Sequence, residues 1–151
     1  MGRDPMDLEV RLPCHAGAPA TARHVIAEFD DVLPLAMIER AMLLVSELVT
    51  NSVRHAGACD AIRLVVHVGA RDRRLRVEVR DRGRGFDPAE LAGGSPAAGA
   101  GFGLAMVDAL ADRWGVDQAS SPSPDGQGRP PRTTAVWFEL AAQKNGSPSR
   151  V

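Results

Sequence analysis

The chain has 151 residues, with 18 Lys and Arg against 19 Asp and Glu, giving a formal net charge of -1. No global field therefore favours nucleic acid, and binding specificity has to be local. A hydrophobic fraction of 44% with 25% charged residues excludes wholesale disorder, and no apolar run approaches the ~18 residues of a spanning helix. The length is that of one domain, expected over residues 8–141, with 1–7 and 142–151 as flexible termini. The opening Met1–Asp7 stretch lacks an apolar signal core, so a cytoplasmic location is expected, without membrane or direct nucleic-acid contact.

Leu8, Val10 and Leu12 alternate with polar residues before Pro13 and predict a first strand with one buried face. Val25, Phe29 and Val32 recur at helical spacing before Pro34, which predicts a helix over 20–32. A longer helix follows, with Ile38, Met42, Val45, Val49 and Val53 as its apolar stripe and Gly57 as a stop signal. Alternation at 62–68 and again at 75–79, around Gly69–Asp72, predicts a hairpin. The stretch 83–101 is rich in Gly, Pro and Ala, too flexible in composition for a packed element, and reads as a mobile loop. Leu104, Val107 and Leu110 then mark a third helix ending near Arg113. Strands are expected at 114–120 and 134–140, separated by a Pro/Ser/Gly-rich turn. Strand, two helices, two strands, helix and strands predict an α+β fold: a two-layer sandwich, with helices on one face of a mostly antiparallel sheet. Cys14 and Cys59 lie far apart without a Cys-x-x-Cys or Cys/His cluster, which predicts two free thiols and no metal centre.

Three segments carry chemistry. In Ser46-Glu47-Leu48-Val49-Thr50-Asn51-Ser52-Val53-Arg54-His55, Glu47, Asn51 and His55 are four residues apart and share a helix face. That face either lines a groove beside the core or is simply solvated. In Asp81-Arg82-Gly83-Arg84-Gly85 a strand runs into a glycine turn. An aspartate there can accept from an exocyclic amine, and glycines admit close approach of a flat ring, although an ordinary Asp-Gly loop has the same composition. Gly99-Ala100-Gly101-Phe102-Gly103 leads into the third helix, where unshielded backbone N–H groups favour phosphate oxygens.

Together these segments resemble the N, G1 and G2 boxes of the GHKL ATPase superfamily. The short chain, the Ser-Glu-Leu-Val-Thr-Asn-Ser-Val-Arg-His run and the Leu-Ala-Met-Val-Asp-Ala-Leu-Ala-Asp-Arg-Trp-Gly run are most similar to the anti-sigma-factor serine kinases. The resemblance implies the Bergerat fold, ATP and Mg²⁺ as cofactors, Glu47 as general base and Asn51 as metal ligand. It also implies Asp81 as acceptor of the adenine amino group, Gly83 and Gly85 shaping the adenine pocket, Gly101 and Gly103 contacting phosphates, and Thr134 near the adenine. His55 reads as structural or as a support to the residues of the site. The implied partners are a sigma factor and an anti-anti-sigma protein of the STAS type, with a possible homodimer. A partner-switching module that binds ATP without catalysis is the alternative, as is a detached histidine-kinase-like ATPase domain. One departure stands out: between Phe86 and Asp112 there is no Lys or Arg and one hydroxyl, Ser95, where lids of this family often carry a basic or hydroxyl side chain.

Overall fold

The computed structural model describes residues 5–55, 61–69, 71–82, 101–120 and 132–142. Among them are five strands, β1 (Met6–Pro13), β2 (Ala61–Val68), β3 (Leu75–Asp81), β4 (Arg113–Ser120) and β5 (Arg132–Leu140), and three helices, α1 (Ala18–Ala27), α2 (Leu35–His55) and α3 (Gly101–Leu110). The strands form one sheet in the order β1-β2-β3-β5-β4, every neighbouring pair antiparallel. The expected α+β sandwich is what the chain forms.

The period of two in each strand decides which side chains meet the helices. Leu12, Ile62, Leu64, Val66, Leu75, Val77, Val79, Val136, Phe138 and Leu140 are buried on that face, and the α2 residues Ile38, Ala41, Leu44, Val45, Leu48 and Val49 join the same core. α1 packs along α2, tied by a 2.6 Å hydrogen bond from the Arg23 guanidinium to the Ser46 hydroxyl. No helix among the described residues is long and apolar enough to cross a membrane.

α1 is shorter than the apolar spacing predicts. It stops at Ala27, and the next residues turn back through Val32 and Leu33 N–H groups that donate to the Phe29 carbonyl. Phe29 and Leu33 are thereby buried from a turn, which satisfies the same apolar pattern without a helix. The α2 stripe is also wider than expected, because α1, α3 and the sheet all pack on this helix. A second difference concerns Cys14, which is disulfide-bonded rather than a free thiol. Separation along the sequence did not register that the β1–β2 ladder pairs Pro13 with Ala61 and so returns the chain to this point. Cys59 lies outside the described residues.

The opposite face of the sheet, where Val65 is buried, is ordered by ion pairs. Glu78 accepts from Arg76 at 2.9 Å and from Arg80 at 2.7 Å, and Arg76 also reaches Glu139 at 3.1 Å while stacking 4.0 Å from the Trp137 ring. Burial alone would raise the Glu78 carboxyl, but hydrogen bonds from Arg80 and Arg76, together with their charges, hold it below the usual carboxylate range.

Candidate functional site

Of the four buried polar or charged side chains among the described residues, three gather away from this ionic face: Asn51, Ser52 and Thr134. Strand direction explains why. β3 ends at Asp81, β5 starts at Arg132 and β4 ends at Ser120, so antiparallel pairing brings these termini to one end of the sheet. Asp81 stands opposite Thr134 and Thr134 opposite Gln118. α2 runs toward the same end, because the strand that follows it starts at Ala61 and pairs Arg63 with Arg80. α3 starts there too, since its far end leads directly into Arg113 at the opposite end of β4.

Asn51 and Thr134 are 5% and 3% exposed, so Asn51 is enclosed and does not lie on a solvated helix face. Asp81 is partly buried beside Thr134, and both engage other groups. Glu47 lies one helical turn before Asn51 and is partly buried. Gly101 and Gly103 form the first turn of α3, where the first N–H groups of a helix have no intrahelical acceptor. Gly83 and Gly85, and most of the expected mobile loop, lie outside the described residues, as does the side chain of His55. Ser52 and Gln118 were not singled out from the sequence. Ser52 sits among the apolar positions of α2 and has no spacing signal of its own, and Gln118 is brought in only by the β4–β5 register.

The Asn51 side chain brings an unmatched polar group to this end of the sheet. Its Nδ2 is buried without a hydrogen-bond partner among the described residues, a state that folded proteins avoid because an unmatched buried amide costs about 1–3 kcal/mol. The two ends of an amide are assigned from their surroundings, so this side chain can offer oxygen to a cation or N–H to an oxyanion. Mg²⁺ usually takes one or two protein oxygens and fills its remaining positions with phosphates and water. Asn51, as a single protein oxygen, fits a magnesium nucleotide in that way. No cluster of three or more His, Cys, Asp or Glu among the described residues could hold a metal by itself.

A family model described as "Histidine kinase-, DNA gyrase B-, and HSP90-like ATPase" matches residues 37–144. Among solved structures, that of the RsbU and RsbW domains of Rv1364c from Mycobacterium tuberculosis shares the fold, with a TM-score of 0.61 and 21% identity over 91% of this chain. The present chain spans 33% of the length of that one. The histidine kinase domain of the Erythrobacter litoralis EL346 blue-light activated histidine kinase also matches, at 21% identity over 83% of this chain and 60% of that one, with a TM-score of 0.41. No curated protein matches the chain. The family match covers more than half of the sequence and includes Glu47, Asn51, Asp81 and Thr134, and the chain accordingly belongs to the histidine kinase-, DNA gyrase B- and HSP90-like ATPases.

Proposed function

We propose that this ATPase-family domain binds Mg-ATP and acts as an anti-sigma-factor-like regulator, phosphorylating a serine or threonine of an anti-anti-sigma partner. The observation that carries the nucleotide site is the unmatched Asn51 amide, buried at the end of the sheet where Asp81 and Thr134 face each other. The Ser-Glu-Leu-Val-Thr-Asn-Ser-Val-Arg-His run, together with the fold shared with a structure that includes an RsbW domain, supports the regulatory reading.

In this reading Asp81 accepts from the adenine amino group, Thr134 steadies that edge, and Asn51 holds the cation that neutralises charge on the phosphates. Backbone N–H groups at the start of α3 receive phosphate oxygens. Glu47 removes the proton from the acceptor hydroxyl as its oxygen bonds to the γ-phosphorus and the bond to the departing ADP oxygen breaks. Phosphoryl transfer depends mainly on position and charge neutralisation, and a helix that carries base and metal ligand one turn apart supplies both.

The test is transfer of γ-labelled phosphate from Mg-ATP to candidate STAS-type proteins, with the product resolved by acid stability. Glu47→Ala should retain ATP binding and partner capture while transfer falls by roughly 10²–10⁴-fold. Acid-labile phosphohistidine on the partner would move the reading to a detached histidine-kinase-like ATPase domain. ATP binding with no transfer to any captured partner would favour a non-catalytic partner-switching module, which is the direction indicated by the absence of Lys and Arg between Phe86 and Asp112.

A further inference from the structure

The row that begins with Asp81 does not end at Thr134. Thr134 pairs onward with Gln118 of β4, and the orientation of Gln118 follows from its own strand. Two and four positions earlier, Val116 and Trp114 pack against the core under the helix layer, with the Trp114 indole N–H donating to Asp108 of α3 at 2.8 Å. The period of two therefore puts the exposed Gln118 side chain on the same face of the sheet as Thr134. Neighbouring strands lie about 4.8 Å apart, so the row spans about 10 Å from Asp81 to Gln118. That is close to the span from the amino group of an adenine to the hydroxyls of its ribose.

The direction agrees as well. A nucleotide whose base meets Asp81 on β3 and whose phosphates meet the first turn of α3, a helix packed against α2 and β4, has to run from β3 toward β4. Its sugar then passes over the Gln118 end of the row. A ribose hydroxyl both donates and accepts, and a primary amide offers both functions on one rigid group. Gln118 also stands on a strand, a firmer platform than a loop for reading a small polar group.

We propose that Gln118 binds the ribose hydroxyls of the nucleotide and makes this site selective for ribonucleotides over deoxyribonucleotides. The inference rests on the nucleotide reading of the Asn51, Asp81 and Thr134 site. It adds a binding residue that neither base recognition nor phosphate binding requires.

The experiment is calorimetric titration of the full chain, as wild type, Gln118→Leu and Gln118→Glu, with Mg-ATP, Mg-2′-deoxy-ATP and Mg-3′-deoxy-ATP, folding being checked by circular dichroism. Wild type should prefer ATP over at least one deoxy analogue by about 3- to 10-fold, the range of one hydrogen bond. Gln118→Leu should bind ATP as weakly as wild type binds that analogue, and its own affinity for the analogue should be unchanged. Gln118→Glu, which still accepts from a hydroxyl, should keep part of the preference. Equal preference in wild type and Gln118→Leu, or no preference in wild type, overturns the proposal while leaving the nucleotide site intact. Failure of folded wild type to bind any of the three overturns the nucleotide reading and this proposal with it.

Discussion

Asp81 and Thr134 are paired across the β3–β5 ladder, so a carboxylate and a hydroxyl are held side by side by main-chain hydrogen bonding rather than by flexible loops. A carboxylate accepts and does not donate, which suits the amino group of adenine and disfavours the carbonyl that guanine presents at the equivalent place. Asp81→Asn should weaken ATP binding by roughly 10- to 100-fold, the loss of one charge-assisted bond in an enclosed site. It should also narrow the discrimination between ATP and GTP, because an amide can turn its N–H toward the guanine carbonyl. Competitive titration of the two nucleotides measures both effects, and undiminished ATP affinity would mean that Asp81 does not read the base.

The unmatched Asn51 amide predicts opposite effects on stability and binding. Its buried Nδ2 lacks a partner among the described residues, and replacing it with an apolar side chain of similar size removes that penalty. Asn51→Leu should therefore raise the nucleotide-free unfolding free energy by about 1 kcal/mol. The stabilisation conferred by Mg-ATP, which grows with ligand concentration above Kd, should disappear. Thermal melts with and without Mg-ATP test both halves. A variant that melts earlier and still responds to nucleotide would show that Asn51 is an ordinary structural amide.

Much of this fold was legible because β2, β3 and β5 place an apolar residue at every second position facing the helices and α2 carries a long apolar stripe, so periodicity separated strands from helices. The shared helix face of Glu47 and Asn51 was legible through their spacing, and the place of Asp81 at a strand end through the alternation before it. Periodicity failed at Phe29 and Val32, where a turn buries the apolar residue that a helix would have buried. It could not see Gln118 either, whose relation to Asp81 arises from two successive strand registers joined across the sheet. The Cys14 disulfide was missed for the same reason, since chain return is a property of pairing and not of spacing.

Gly115 of β4 shows how close the packing is on the ionic face. A Cβ at this position would meet the Trp137 ring at 2.7 Å, and that ring is held from elsewhere by the stacked Arg76 guanidinium. Gly115→Ala should cost about 1–3 kcal/mol, the usual penalty for overpacking. Combining it with Trp137→Leu should recover part of the loss, so that the two changes together are less harmful than their sum. Chemical denaturation of the four proteins in this cycle measures the coupling, and strict additivity would show that the indole moves aside freely.

Glu78 links the ionic face to acid stability. It is 8% exposed and held by Arg76 and Arg80, whose hydrogen bonds and charges outweigh the effect of burial and set its pKa below the ordinary value of 4.5. A carboxyl whose pKa is lower folded than unfolded contributes stability that is fully present above the unfolded value and is lost as pH falls through the folded one. The difference in unfolding free energy between wild type and Glu78→Gln should accordingly be constant from neutral pH down to about pH 5.5. It should then shrink as pH falls below 4.5 toward the lower folded value, because there the unfolded chain takes up a proton that the native carboxylate still refuses. At neutral pH the variant should be destabilised by about 1–3 kcal/mol, since a neutral amide cannot engage both guanidinium groups as a carboxylate does. Urea denaturation at a series of pH values provides the comparison. A difference that stays flat through the acid limb, or grows there, would mean that Glu78 does not titrate against the arginine pair and that the face is held by the Arg76–Trp137 stack instead.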